Sequence, residues 1–106
     1  MTNRLQYLTN LLESSPNDSF VCFALAKEYE GLGDDAQALS FYLRLQEADP
    51  GYVGTYYHLG KLYERQQDLQ NAVLTYKQGI EISRKAGDRH AMSELQAALL
   101  NLEDPE

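Results

Sequence analysis

The sequence predicts an all-α protein of about six amphipathic helices set in antiparallel pairs, and three observations carry that prediction. A stretch of the chain is written twice, 34 residues apart: Leu25, Lys27, Tyr29, Glu30, Asp34, Ala38, Tyr42 and Glu47 are answered by Leu59, Lys61, Tyr63, Glu64, Asp68, Ala72, Tyr76 and Glu81. Self-similarity at a fixed period marks each copy as one supersecondary unit that must stack on its neighbours to bury a core. Apolar residues recur at three- and four-residue steps, the helical period, and no segment reads as strand. Short turn signals at Ser15-Pro16, Gly31-Leu32-Gly33, Pro50-Gly51 and Gly87-Asp88 divide the chain.

The first helix is expected over about Asn3 to Glu13, where Leu5, Leu8, Leu11 and Leu12 form one stripe. Pro16 biases the residue before it out of the helical region and ends that helix. Asn17, Asp18 and Ser19 are each suited to cap the second, which should run to about Leu32. Gly33 can take the left-handed conformation of a helix C-terminus without steric cost. Asp34 or Asp35 then caps a third helix carrying Ala38, Leu39, Tyr42 and Leu45, closed by Asp49-Pro50. A fourth helix is expected over roughly Tyr52 to Gln66, and a fifth, capped by Asp68, from about Leu69 to Arg84. Arg84 and Lys85 suit the negative end of the fifth helix dipole. Met92, Leu95, Leu99 and Leu102 give a sixth helix its apolar stripe, and residues 103–106 have nothing to bury and should fray.

Bulk properties narrow the function. A chain of 106 residues, 43% apolar and 24% charged, is expected to form one packed domain without a metal or disulfide staple. Sixteen acidic residues against nine Lys plus Arg give a net charge of -7, which opposes attraction to nucleic-acid phosphate and to anionic membrane surfaces. Cys22 is the single cysteine, so no internal disulfide or thiolate cage can form, which fits a reducing compartment. No apolar run has signal-peptide or membrane-spanning length, and a cytoplasmic location is expected.

Within the first copy, Cys22, Leu25, Ala26 and Tyr29 share one face of the leading helix, and Ala38, Tyr42 and Leu45 share one face of the trailing helix. These faces should meet, with Ala26 and Ala38, then Gly60 and Ala72, letting the helix axes approach. The motifs Leu25-Ala26-x-x-Tyr29, Ala38-x-x-x-Tyr42 and Pro50, then Tyr56-x-x-Leu59-Gly60-x-x-Tyr63 and Ala72-x-x-x-Tyr76, resemble the tetratricopeptide repeat (TPR) family. The resemblance implies a TPR-like α-α superhelix of antiparallel helix pairs. Two departures stand out: Cys22 replaces a frequent Trp, and Arg84 stands where Pro50 stands one copy earlier, letting the fifth helix run longer. The expected layout is one domain, with a half-repeat helix at 1–16, repeats at 17–50 and 51–84, and a capping helix at 88–103. The ends echo the repeats: Leu11, Glu13 and Pro16 precede Leu45, Glu47 and Pro50 by one period, and Met92, Leu95 and Leu99 follow Tyr56, Leu59 and Tyr63 after a two-residue insertion.

No catalytic constellation stands out, so an enzyme is not expected, nor a cofactor or a metal. His58 and His90 have no four-residue histidine partner, Cys22 sits on a buried stripe, and Tyr29, Tyr42, Tyr63 and Tyr76 fall on repeat seams. The remaining signal is a set of leading-helix positions that the packing is not expected to use: Phe20, Phe23, Lys27 and Glu30 on the second helix, and Tyr57, Lys61 and Glu64 on the fourth. In the family that the chain resembles, leading helices line a concave groove that receives peptides, so these side chains are expected to bind a partner protein or peptide, with His90, Ser93 and Ala97 extending the surface. The competing expectation is that Phe20 and Phe23 only cover the first helix, and that the Lys-Glu pairs are solvated i,i+3 contacts. A subset of the family clamps an acidic C-terminus with Lys, Asn and Arg; here the matching places carry Phe23, Lys27, His58, His90 and Glu94, so that ligand is not expected. The alternative function is self-assembly through the terminal helices, with Leu100 lying off the main apolar stripe, and the chain is expected to be a monomer or homodimer.

Overall fold

The computed structural model describes residues 3–103, and every one of its regular elements there is a helix. They are α1 (Asn3–Ser14), α2 (Ser19–Gly31), α3 (Asp35–Ala48), α4 (Gly54–Arg65), α5 (Leu69–Ala86) and α6 (Arg89–Glu103). The fold is all-α and TPR-like, as the repeat predicts. Two compact units are defined, one ending at Tyr52 and one beginning at Val53.

In the first unit, Leu5 and Leu8 of α1 bury against Val21, Ala24 and Leu25 of α2, with Leu12, Tyr29 and Phe41 packed around them. Each such leucine contributes roughly 1.5–3 kcal/mol on leaving water. A different face of α2 meets α3, where Ala26, Ala38 and Tyr42 are all fully buried. Polar contacts fasten the α1–α2 turn to α3: Arg44 Nη2 donates to the Pro16 carbonyl at 2.8 Å, and Ser19 Oγ donates to Asp49 Oδ2 at 2.6 Å.

The second unit is built on Tyr56, Ala72, Tyr76, Ile80, Leu95 and Ala98, all buried. Gly79 lets α6 in. A Cβ there would stand 2.5 Å from Tyr56 Cβ and 3.0 Å from Leu95 Cδ1, so position 79 accepts no side chain, whereas its repeat mate Leu45 is itself a core residue.

The helix ends follow one device used three times. Gly33, Gln67 and Gly87 have φ of 80°, 61° and 72°, and each is followed by an aspartate. The backbone N–H groups of Asp34, Asp68 and Asp88 reach back to Tyr29, Tyr63 and Ser83 carbonyls at 2.9 Å, closing the six-residue loop of a Schellman cap. The same aspartates then cap the next helix, accepting from the N–H groups of Gln37, Asn71 and Ala91 at 3.1, 3.2 and 3.0 Å. Asp34 therefore caps α3, and Asp18 caps α2 by accepting from Val21 N–H at 3.1 Å.

Two expected boundaries move. The fourth helix starts at Gly54 rather than Tyr52, because Tyr52 N–H is spent on the Asp49 carbonyl at 3.0 Å in the Pro50-Gly51 turn. The fifth helix, with no proline at Arg84, runs 18 residues until Gly87 turns left-handed. Glu103, expected to fray, is instead helical and stands 3.6 Å from Lys77 of α5, and the rest of that expectation falls on 104–106, outside the described residues.

Candidate functional site

The leading-helix positions singled out by the sequence divide between the two units, and each unit organises its own set. On α2, Phe20 is 65% exposed, whereas Phe23 is half-buried. The Phe23 ring lies 6.2 Å from Tyr42 in an edge-on arrangement and 5.6 Å from Tyr52, so three aromatic rings from α2, α3 and the turn after α3 meet. Tyr52 was no part of the expected set. Burial, then the nearby Asp18 and Asp49 carboxylates, raise its phenol above its ordinary value.

One turn along α2, Lys27 Nζ stands 3.8 Å from Glu30 Oε1. Glu30 also accepts a 2.5 Å hydrogen bond from the hydroxyl of buried Tyr42 on α3. In the second unit the arrangement recurs: Lys61 Nζ stands 3.7 Å from Glu64 Oε2, and the Tyr76 hydroxyl donates to the same carboxylate oxygen. Burial, then the hydrogen bond to Glu64 and its negative charge, push the Tyr76 phenol far above the ordinary tyrosine value. This corrects the expectation that packing does not use Glu30 and Glu64. A buried tyrosine oxygen needs a partner, and the half-buried glutamate on the leading helix supplies it. A signal for this was present in the chain, since glutamate and tyrosine recur together twelve residues apart in both copies.

Lys61 is further held over the Tyr57 ring, 5.5 Å from its centroid. Tyr57 in turn stands edge-on to His58 at 5.5 Å. These rings open onto a cleft of about 160 Å³ between the start of α4 and the start of α6, lined by Tyr57, His58, Asp88, Ala91, Glu94 and Leu95 among others. The α4 end of the cleft begins at Val53 and Gly54, where no side chain caps the helix.

The sixth helix presents a different face from the one expected. Leu95 and Ala98 form its buried stripe, and Ala91 and Glu94 flank that stripe in the cleft wall. With 3.6 residues per turn, His90, Ser93 and Ala97 fall on the side opposite Leu95. His90 is 85% exposed, forms no part of the cleft lining, and stands 3.4 Å from Glu94, an ion pair when the imidazole is protonated. The structure thus brings Tyr57, Lys61 and Glu64 together, and separately Phe23, Lys27 and Glu30, while Phe20 and His90 project into solvent. Sequence alone does not place Asp88 and Ala91 in this cleft and marks Glu94 only at a clamp position, because the face of α6 that packs inward is the one carrying Leu95 and Ala98.

Cys22 is buried, and burial pushes its thiol up, against a smaller lowering influence of Arg44. Among the described residues no group of three or more His, Cys, Asp or Glu is placed to hold a metal ion. Among them, too, no helix is long and apolar enough to cross a membrane.

Comparison with known proteins agrees with this architecture. The tetratricopeptide repeat family model matches residues 21–52 and 53–85. A TPR repeat-containing protein of Pseudomonas aeruginosa is 28% identical over 99 residues, covering 93% of this chain and 94% of that one. The crystal structure of a tetratricopeptide repeat domain protein from Salinibacter ruber superposes with a TM-score of 0.80 at 48% identity, covering 84% of this chain and 99% of that one. The solution structure of a protein from Bordetella parapertussis superposes with a TM-score of 0.82 at 25% identity, covering 96% and 89%.

Proposed function

The chain belongs to the tetratricopeptide repeat family, and from that membership we propose that it is a non-enzymatic protein–protein interaction module, acting in the cytoplasm, that takes a peptide or helix of a partner on the leading-helix faces of its repeats. The observation that carries this reading is the Tyr57–Lys61–Glu64 set beside the open cleft between α4 and α6. Aromatic surface held rigid by neighbours binds at low entropic cost, and charges pinned by partners discriminate between ligands without having to be ordered first. Phe23, edge-on to Tyr42 and tilted against Tyr52, and Lys27, paired with Glu30, offer the same two elements in the first repeat. Exposed Phe20 and His90 complete the proposed contact set.

Affinity capture from lysate tests the reading when wild type is compared with Phe23→Ala and Lys61→Glu, each checked for unchanged helicity. Loss of the same captured proteins in both variants supports it. Undiminished capture by both removes the leading-helix faces from the binding role.

Self-assembly through α6 is the second reading, favoured by Leu100, which is 67% exposed near the end of that helix. Light scattering across a hundredfold concentration range separates the two: a constant monomer mass sinks self-assembly, and a Leu100→Ser-sensitive dimer supports it.

A further inference from the structure

Resting on that interaction reading, we infer that the cleft between α4 and α6 takes a basic side chain, lysine or arginine, from an extended segment of the partner. Its volume, about 160 Å³, is about five times the roughly 30 Å³ share of one liquid water, which suits a single long side chain rather than a folded surface. Its chemistry is layered in the way such a side chain needs. Leu95, Ala91 and the Tyr57 ring supply apolar wall, while Asp88 and Glu94 supply carboxylates. Lysine and arginine lay their methylene stems along apolar surface and keep the charged head at a polar rim.

The electrostatics set the sign. Two helix N-termini, those of α4 and α6, face the cleft and contribute about half a positive charge each. Against them stand two carboxylates, so the cleft stays negative, within a chain of net charge -7. The neighbouring cation does not reverse this, because Lys61 is paired with Glu64 and rests on Tyr57. One oxygen of Asp88 is committed to the Ala91 N–H at 3.0 Å, which leaves Glu94 as the principal anchor. His90 is the internal competitor for Glu94 when protonated, and His58, also in the lining, would repel a basic ligand in its charged form. A partner carboxylate meets repulsion from both acids.

The test is selection of a random-peptide display library on the full chain, followed by Kd measurement on synthetic peptides from the selected pool. We expect binders enriched in arginine and lysine, weakened about tenfold by Glu94→Lys and less by Glu94→Gln, since reversing a charge costs more than removing it. Glu94 is half exposed, so both variants are expected to keep the fold, which circular dichroism checks. Binders that are acidic or purely apolar, or basic binders indifferent to Glu94→Lys, overturn the inference and leave the interaction reading standing. A library that yields no binder at all, together with lysate capture unaffected by Phe23→Ala and Lys61→Glu, overturns both.

Discussion

The Tyr76 hydroxyl, on a side chain with no exposed surface, donates its hydrogen bond to Glu64 on the facing helix, and Tyr42 does the same to Glu30 one repeat earlier. Each repeat thereby joins its two helices through one phenol and one carboxylate, and the carboxylate's other neighbour is a lysine on the proposed binding face. Core and surface are linked through a single side chain. Tyr76→Phe removes the donor and leaves the ring packing intact, and it is expected to lower the unfolding free energy by about 1–2 kcal/mol, read as a shift in the urea midpoint. Glu64→Gln should cost less, because the amide oxygen can still accept.

Alkaline pH acts on the same contact. The folded-state values of Tyr76, Tyr63 and Tyr52 are all raised above the ordinary 10.0, each first by burial. Their contribution to stability is complete below that ordinary value, and as pH rises past about 10 the unfolded chain releases protons that the folded chain retains, so stability falls. Urea midpoints measured from pH 8 to 11.5 should decline above pH 10, and the decline should be shallower in Tyr76→Phe. A pH-independent midpoint across that range would contradict the assignment.

Gln67 occupies the left-handed position that Gly33 and Gly87 hold in the other two Schellman caps. A residue with a Cβ pays roughly 1–2 kcal/mol in that region, part of which glycine returns through its greater freedom when unfolded. Gln67→Gly should stabilise the protein by about 0.5–1 kcal/mol, visible as a higher melting temperature. Gly33→Gln should do the reverse.

Close approach of the repeat helices makes a further demand. A Cβ at Gly60 would fall within the Tyr76 ring, which is buried and cannot swing away. Gly60→Ala is expected to cost about 1–3 kcal/mol by overpacking, and Ala38→Leu and Ala72→Leu, at positions with no exposed surface, should fall in the same range. Unchanged thermal midpoints in these variants would place the helix crossing elsewhere.

Thr55 is fully buried, and its hydroxyl oxygen has no hydrogen-bond partner among the described residues, whereas the repeat mate Val21 carries a methyl there. Replacing a stranded hydroxyl by an isosteric methyl removes a desolvation cost of about 1–3 kcal/mol. Thr55→Val should therefore raise the chemical-denaturation midpoint.

Much of the fold was legible because its causes are local. Apolar spacing, Pro16, Pro50 and the glycine or aspartate turns act within a few residues, so six helices and the Asp68 cap could be read from neighbours in the chain, with the third helix's cap narrowed to Asp34 or Asp35. The start of α4 was misjudged by two residues because a turn competed for Tyr52 N–H, and a single backbone donor decides such a contest. Of the candidate site, Lys27, Lys61, Phe23 and Tyr57 were singled out from helical spacing together with the family resemblance, with Glu30 and Glu64 beside the lysines, but the contacts of Glu30, Glu64 and Phe23 with Tyr42, Tyr76 and Tyr52 were not.

By itself, the 34-residue echo determined the family, the helix pairs and the seam of Leu25, Tyr29, Ala38 and Tyr42 with their counterparts, since periodicity is a property of the chain. Tertiary structure decided what the echoed Lys27, Glu30, Lys61 and Glu64 touch. Each glutamate satisfies a buried tyrosine on another helix and steadies a lysine, and Glu94 rather than His90 lines the α4–α6 cleft. Both outcomes depend on how closely helices distant in sequence approach; the echo marked Ala26 and Gly60 for that approach, but Gly79, which stands where the first copy has Leu45, carries no pattern of its own.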